Sequence, residues 1–384
     1  MLKNSTQLQR NPGIGQRTNL GSLDWSQPGM NDPMTYLDYM NPNQLVPGLM
    51  DFINPVDLGA NKIYVYGNTT PVSSAYWGSV YHPNGKIYMI PYSATEVCEV
   101  DPNVGDAIFF GAAGSGSTKW RGGFLGKDGL IYCIPSITTP IGIINPYTKT
   151  IDTSSFTNVL EGNYNGGCYG PDGLFYLTPG TSSTTSVQWI DTANRTTGTS
   201  LILSGSGYYG GAIMAPNGRI WFIPRDDDNC VVYDVWKKSY ELVAMPTNGF
   251  ASFGYKGGVL APNGCIYCAP GSADRVLEIN THTKKGRLIG SYVNGGTLAY
   301  TQAIYAPDGF IYMIPDSAAN ILKVDWIRGT TEEIPAMSGS SKWGPGCIDK
   351  NGKFWSSTYS GDSILCMDFQ QLLDQRTMLC QPLN

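Results

Sequence analysis

One acidic run is the clearest candidate for chemistry in the sequence. It consists of Arg225, Asp226, Asp227, Asp228 and Asn229. Carboxylate and amide oxygens at near-alternate positions are typical calcium ligands, so the run is a candidate calcium site. A solvated loop is the simpler interpretation. We therefore expect no resident metal or cofactor, with calcium at Asp226, Asp227 and Asp228 as the alternative.

Histidine and cysteine form no recognisable catalytic or metal-binding set. The chain has two histidines, His82 and His282, which cannot build a three-histidine metal site. Cys265 and Cys268 have CxxC spacing, but residues three apart on a strand face opposite sides and cannot chelate one ion. The P-loop, GxSxG and HExxH patterns are missing from the sequence. We therefore expect no enzymatic activity.

A repeated turn signal organises most of the chain. Seven copies of Pro or Lys, then Asn or Asp, then Gly occur at a spacing of 43 to 46 residues between glycines. The copies are Pro83-Asn84-Gly85, Lys127-Asp128-Gly129, Pro171-Asp172-Gly173, Pro216-Asn217-Gly218, Pro262-Asn263-Gly264, Pro307-Asp308-Gly309 and Lys350-Asn351-Gly352. A fixed period of this length indicates one supersecondary unit per repeat, stacked on its neighbours.

Each repeat reads as four antiparallel strands. Asn-Gly and Asp-Gly between apolar runs indicate a hairpin with a tight type I′ turn. A β-branched and aromatic strand follows each turn and usually ends at Pro, and a further strand ends in Asp or Asn. With a weaker fourth strand, such as 107–110, each repeat forms a propeller blade of about 45 residues. We predict an all-β, seven-bladed β-propeller over residues 61–384, closed by a strand at 62–66 that pairs with the last blade.

An aromatic residue stands nine positions before every turn glycine. The set is Tyr76, Trp120, Tyr164, Tyr209, Tyr255, Tyr300 and Trp343. These side chains could form an aromatic ring at the mouth of the central channel. The alternative, which we favour, is that each aromatic packs between adjacent blades, because burial of aromatic area is how blades cohere.

The repeats resemble the blades of propeller proteins found in tailed phages and large viruses. Those blades read roughly P-N-G-K-I-Y-x-I-P followed by V-x-x-I-D-P, and the runs from Pro83 to Pro91 and from Val97 to Pro102 match closely. The resemblance covers residues 76–370. The seventh copy departs from it at Lys350 and Thr358, where the pattern has Pro. The resemblance implies the architecture and no particular activity.

The composition excludes several classes of partner. Charged residues make up 14% of the chain and the formal net charge is −5, which argues against nucleic acid. No apolar run reaches the length of a membrane span, and the chain lacks a charged-then-apolar secretory start. We therefore expect a soluble protein. The nine cysteines are an odd number, which under these conditions favours free buried thiols.

Residues 1–60 carry no repeat and form a non-repetitive N-terminal arm. We expect a short helix near 33–40, opened by Asp32 and Pro33. The arm has few charges and several large apolar side chains, so it should order against another surface, either its own propeller or a partner. The candidate docking residues are Trp25, Tyr36, Leu37, Met40, Met50, Phe52 and Ile53.

These features favour a structural or interaction protein of a virion. We expect a bacteriophage tail, spike or head-decoration subunit, assembled in the host cytoplasm and docked on other virion proteins through the arm, with a host surface receptor as a further partner. Two alternatives remain: a calcium-dependent, lactonase-like hydrolase with its site at the channel mouth, and a cytoplasmic adaptor that binds a peptide or glycan. Candidate binding residues on the loop faces are Trp77, Trp120, Tyr208, Arg225, Asp226, Asp227 and Asp228.

Overall fold

The fold was analysed in a computed structural model of the chain. The structure describes residues 62–67, 74–104, 106–136, 139–156, 160, 162–181, 184–203, 208–246, 253–291, 293, 298–335, 343–358 and 363–368. The N-terminal arm, its expected helix near 33–40 and its candidate docking residues lie outside these residues. The described residues form strands and turns without an α-helix. Among them, no helix is long and apolar enough to cross a membrane.

The strands form seven four-stranded antiparallel sheets, and the predicted seven-bladed propeller is confirmed. Strand β1 (Lys62–Gly67) belongs to the last blade. Blade one contains β2 (Tyr76–Tyr81), β3 (Ile87–Pro91), β4 (Val97–Val100) and β5 (Ala107–Phe110). Blade two contains β6 (Trp120–Leu125), β7 (Ile131–Pro135), β8 (Gly142–Asn145) and β9 (Thr150–Asp152). Blade three contains β10 (Tyr164–Tyr169), β11 (Phe175–Pro179), β12 (Ser186–Asp191) and β13 (Thr196–Ile202).

The remaining four blades repeat this order. Blade four contains β14 (Tyr209–Met214), β15 (Arg219–Pro224), β16 (Asn229–Asp234) and β17 (Ser239–Ala244). Blade five contains β18 (Tyr255–Leu260), β19 (Cys265–Pro270), β20 (Val276–Asn280) and β21 (Lys285–Ile289). Blade six contains β22 (Tyr300–Tyr305), β23 (Ile311–Pro315), β24 (Asn320–Asp325) and β25 (Thr330–Pro335). Blade seven contains β26 (Trp343–Ile348), β27 (Lys353–Thr358) and β28 (Ser363–Asp368), with β1 outermost.

Strand β1 closes the ring, as the sequence predicts. It pairs antiparallel with β28 in a register that aligns Lys62 with Asp368 and Gly67 with Ser363. The first strand of every blade contacts the first strand of the next blade, and β2 also contacts β26. The seven first strands therefore surround a central axis, and strand pairing between the two ends of the propeller completes blade seven.

The hairpin turns differ from the predicted two-residue type I′ turn. In blade one, Gly85 donates its N–H to the carbonyl of His82 at 2.9 Å, and Gly85 has φ +84°. Asn84 is not among the residues with positive φ, whereas a type I′ turn needs positive φ at both central positions. The connection is therefore a type I turn followed by one left-handed glycine, and the other six repeats share the same hydrogen bond and positive-φ glycine.

A side-chain clamp fixes the turn to the strand that follows it. In blade two, Asp128 accepts hydrogen bonds from the Leu130 N–H at 3.1 Å and from the Tyr132 hydroxyl at 2.7 Å. Asp172 and Asp308 make the same bonds to the tyrosines four residues later. Asn84 and Asn263 instead donate to their tyrosines through the amide group. The clamp explains why the turn residue and the aromatic recur together.

The aromatics that precede each turn pack between blades. All seven expose 3% or less of their surface. Trp120 of blade two packs with Ile90 and Val97 of blade one, and Tyr76 packs with Trp355 of blade seven. Seven such clusters form the core, one for each junction between adjacent blades. The packing interpretation is confirmed, and these side chains do not line the channel mouth.

The cysteines belong to the same core. The eight cysteines in the described residues carry free thiols, and six of them are fully buried. Cys265 packs at the junction of blades five and six, whereas Cys268 packs at the junction of blades four and five. The two thiols of the CxxC pattern therefore point to opposite faces of β19, which excludes chelation of one metal ion by this pair.

Candidate functional site

The candidate site is a cavity of about 200 Å³ at one end of the central channel. It lies where the first strands begin and the second strands end. Its lining residues come from all seven blades and the adjoining loops: Trp77, Tyr92, Arg121, Asn165, Gly210, Arg225, Phe253, Lys256, Leu298, Thr301, Asp316 and Pro345. The cavity is therefore a property of the assembled ring and not of any single blade.

Two positions of the repeat supply most of the lining. One is the residue directly after the inter-blade aromatic, as in Trp77, Arg121 and Lys256. The other is the residue directly after the proline that ends the second strand, as in Tyr92, Arg225 and Asp316. Tyr76 pairs with Pro91 across the hairpin, so the two positions lie at the same end of each blade.

A β-bulge directs the first of these positions into the cavity. The pairing of the first and second strands shifts register immediately after the inter-blade aromatic in all seven blades. In blade two the shift falls between Trp120 and Gly123, which leaves Arg121 outside the regular ladder. Bulges commonly re-aim side chains beside functional sites. The inter-blade aromatic before the bulge lies in the core, and the residue after it faces the central axis.

Three cations line the cavity, and each lies against an aromatic ring. The Arg121 guanidinium is 6.0 Å from the centre of the Tyr92 ring. The Lys256 ammonium is 5.7 Å from the centre of the Trp77 ring. The Arg225 guanidinium lies 4.2 Å from Phe253 and 5.2 Å from Tyr208. Cation–π contacts of this kind hold the cations in place without neutralising their charge.

Arg225 is the most buried of the three cations. It is 9% exposed, its Nη1 donates to the Gly180 carbonyl at 3.4 Å, and its Nε has no hydrogen-bond partner. Burial lowers the pKa of the Arg225 guanidinium; nearby Arg121 also lowers it, while Asp226 raises it. A buried cation with an unpartnered donor is costly, which makes Arg225 a candidate anion-binding group.

Lys256 and Asp316 form the one ion pair among the lining residues described. The Lys256 Nζ is 3.7 Å from a carboxylate oxygen of Asp316. Burial lowers the pKa of Lys256, Asp316 raises it, and the charges of Arg225 and Arg121 lower it further. The net lowering shows that one carboxylate does not compensate for burial and two neighbouring guanidinium groups.

Arg121 and Asn165 extend the polar lining toward blade four. The Arg121 Nη1 donates to the Asn165 Oδ1 at 3.2 Å. The Asn165 Nδ2 in turn donates to the Tyr209 carbonyl at 3.0 Å. Asn165 thus orients the guanidinium of Arg121 while its own amide group is held by the backbone of the next blade.

The acidic run supports the wall of the cavity. The Asp226 carboxylate accepts the Phe253 N–H at 2.6 Å, and the Asp227 carboxylate accepts the Asn229 N–H at 3.1 Å. These carboxylates bind separate groups. In the part of the chain that the structure describes, no cluster of three or more His, Cys, Asp or Glu could hold a metal ion.

The structure places the sequence-derived candidates in different environments. Trp77 and Arg225 line the cavity, and Tyr208 contacts the Arg225 guanidinium. Trp120 lies in the core, 1% exposed, and its indole N–H donates to the Pro140 carbonyl at 2.9 Å. The Asp226 carboxylate acts on the backbone of Phe253. The candidate binding residues therefore do not form a single binding site.

Sequence reasoning missed five residues that shape the cavity. These are Tyr92, Arg121, Phe253, Lys256 and Asp316. Four of them occupy the two repeat positions that line the cavity, but the residue types at these positions differ between blades, so the repeat does not single them out. Phe253 follows no repeat position.

No protein-family model matches the chain, and no curated protein matches it by sequence. Solved structures do share its fold. Selenomethionine-substituted virginiamycin B lyase from Staphylococcus aureus aligns with a TM-score of 0.68 at 14% identity, covering 81% of this chain and 100% of the lyase. A catalytically inactive variant of that lyase with quinupristin gives 0.67 at 14% identity, covering 80% and 100%. A streptogramin B lyase gives 0.66 at 15% identity, covering 80% and 97%. At these identities the similarity concerns the propeller fold.

Proposed function

We propose that the protein is a ligand-binding β-propeller whose central cavity holds a small organic anion. The observation that carries this proposal is the convergence of Arg121, Arg225 and Lys256 on one cavity in a protein of formal net charge −5. Asp316 is the one carboxylate among the described lining residues. Buried charges are normally paired, so a bound anion would supply the missing partners.

The chemistry of the lining supports an organic ligand over a simple ion. Trp77, Tyr92 and Phe253 present aromatic surface beside the cations. Ligand sites typically combine apolar walls with a few placed polar groups. The aromatic rings would contact the carbon skeleton of a ligand while the guanidinium groups bind its anionic groups.

The proposal concerns binding and includes no chemical step. The solved neighbours are named as lyases of virginiamycin B and streptogramin B. The lining described here contains neither histidine nor cysteine. Its volume of about 200 Å³ is also below the roughly 300–1,000 Å³ of pockets for drug-sized ligands. These observations favour a small ligand over a streptogramin, a peptide or a glycan.

The virion role expected from the sequence stays a separate proposal about the N-terminal arm. Strand β1 is the outermost strand of blade seven, so the chain enters the propeller at its outer edge. The lactonase-like alternative has less support, since the Asp226 and Asp227 carboxylates each bind backbone N–H groups.

Thermal unfolding of the full-length chain tests the proposal. A ligand that binds the folded state raises its stability in proportion to ln(1 + [L]/Kd). We expect sodium salts of small organic acids to raise the midpoint above that in sodium chloride of equal ionic strength. The double variant Arg121→Gln/Arg225→Gln should lose this response. Arg275→Gln, which removes an exposed arginine, is the matched control and should keep it.

Two results would contradict the proposal. One is that no small organic anion raises the midpoint of the unaltered protein. The other is that the double variant responds as strongly as the Arg275→Gln control, because the anion would then bind outside the cavity.

A further inference from the structure

The charges in the cavity define how much negative charge a ligand should carry. Lys256 and Asp316 form an ion pair at 3.7 Å and offset each other. Among the residues described, no carboxylate lies within ion-pair distance of Arg121 or Arg225. Both guanidinium groups therefore lack an ion-pair partner, and a ligand with two negative charges would supply one for each.

The two guanidinium groups approach the cavity from different directions. Arg121 lies at the start of β6 in blade two, and Arg225 follows β15 in blade four. Blade three stands between them and contributes Asn165, which accepts the hydrogen bond from Arg121 and donates to Tyr209. Both groups line the same cavity, so each can bind one anionic group of a ligand that lies between them. Two anionic groups separated by a short carbon chain would match both.

The volume of the cavity sets the upper size of that chain. A cavity of about 150 Å³ in another protein binds benzene, and this cavity measures about 200 Å³. An acyclic ligand with about eight to ten non-hydrogen atoms fits such a volume. Arginine binds carboxylates in a planar, bidentate geometry, which favours carboxylates as the two anionic groups.

We propose that the ligand is a small dicarboxylate of four or five carbons, with one carboxylate on Arg121 and the other on Arg225. This inference rests on the proposed function, because it names the ligand class of the same cavity. The carbon chain lies against the aromatic lining between the two arginines. Asp316 stays paired with Lys256 and excludes ligands that carry a third negative charge near it.

Calorimetric titration of the full-length chain with matched acids tests the inference. The probes are succinate, glutarate, butyrate and inorganic phosphate at one ionic strength. Each carboxylate–arginine pair adds charge-assisted hydrogen bonds, so succinate or glutarate should bind at least about tenfold more tightly than butyrate. Phosphate should bind more weakly than the better dicarboxylate, because it has no carbon chain to contact the aromatic lining.

Variants then assign the two carboxylates. Arg121→Gln and Arg225→Gln should each reduce dicarboxylate affinity to about that of butyrate, since one arginine remains in each. Arg275→Gln should leave all affinities unchanged. Equal affinity for butyrate and the dicarboxylates, or tightest binding of phosphate, would overturn the dicarboxylate while the anion site stands. Absence of binding by every probe would overturn the inference and the proposed function together.

Discussion

The guanidinium of Arg225 lies 4.2 Å from the centre of the Phe253 ring, and the two residues are also linked through Asp226. Phe253 has φ +57°, a left-handed conformation that is unfavourable for a bulky residue. The Asp226 carboxylate accepts the Phe253 N–H at 2.6 Å and so holds this conformation. The acidic residue next to Arg225 in sequence thus positions the ring that packs on Arg225.

Removal of the Asp226 carboxylate should weaken ligand binding without any effect of calcium. In Asp226→Ala the Phe253 N–H loses a charge-assisted acceptor, which should cost about 1–3 kcal/mol of stability. The Phe253 ring should then move off Arg225, and anion affinity should fall. Calorimetric titration and urea unfolding with calcium or with chelator measure both effects. A variant that unfolds as before and binds as before would contradict this role, and a calcium-dependent midpoint would restore the metal hypothesis.

Replacement of Arg225 should separate binding from stability. Burial lowers the pKa of Arg225, and its Nε lacks a partner, so the charge is unfavourable in the free protein. Arg225→Met keeps much of the apolar contact with Phe253 and removes the charge. We expect a free protein at least as stable as the original, together with a dicarboxylate affinity reduced to about that of butyrate. Urea unfolding without ligand measures the stability of the variant. A variant less stable than the original by more than about 1 kcal/mol would show that Arg225 has a structural role.

Trp120 should matter for stability and not for binding. It is buried at the junction of blades one and two, and its indole N–H donates to Pro140. Trp120→Phe removes this bond and part of the packing, and we expect a loss of about 2 kcal/mol. The matched comparison is Trp77→Phe, because Trp77 follows the inter-blade aromatic Tyr76 and lines the cavity. This variant should alter ligand affinity more than stability. The opposite pattern would place the binding surface at Trp120.

The buried thiols should resist alkylation while the protein is folded. Burial raises the pKa of Cys98 and of Cys366 to about 12, so their thiolates do not form near pH 8.5. In the unfolded chain these thiols have ordinary pKa values, so their contribution to stability is present below about pH 8.5 and is lost as pH rises toward 12. Among the eight cysteines that the structure describes, iodoacetamide labelling with peptide mass spectrometry should detect the partly exposed Cys168 before Cys98 and Cys366. Rapid labelling of Cys98 in folded protein would contradict this order.

Two truncations should distinguish the arm from the closing strand. Deletion of residues 1–58 retains β1, so the propeller should stay folded and monomeric while losing incorporation into a parent particle. Deletion of residues 1–67 also removes β1 and exposes the edge of β28, which should lower stability and promote association. Sedimentation and thermal unfolding compare the two proteins. If the shorter deletion already unfolds the domain, the arm belongs to the propeller and the docking hypothesis loses its basis.

The sequence predicts the propeller well because its determinants are periodic. The turn glycines, the aromatics and the terminal prolines recur at nearly constant spacing, and each has one structural role in every blade. The prediction of a type I′ turn was wrong, and the reason is physical. The proline ring fixes φ near −65°, which suits the second position of a type I turn. Pro83 in that position places Asn84 third and Gly85 in the left-handed position.

The cavity could not be predicted in the same way, because its residues differ from blade to blade. At one repeat position Trp77 is aromatic and Arg121 and Lys256 are cationic, while other blades carry Asn165, Gly210 and Thr301 there. Their common direction results from a β-bulge, which depends on pairing with the second strand and leaves no distinct sequence pattern. Phe253 lies against Arg225 through a loop conformation that Asp226 holds, and such contacts are not encoded by spacing.

Closure of the ring by β1 also determines the order of events during synthesis. Lys62 pairs with Asp368, which the ribosome adds 306 residues later (368 − 62). Blades one to six can form as they emerge, because their strands are consecutive in sequence. Strand β1 cannot pair until β28 has been synthesised. The nascent protein therefore passes through an open arc in which β1 is unpaired and the two terminal blades are not yet in contact. The cavity draws on blades at both ends of that arc, so the proposed anion site is complete only after translation has passed blade seven.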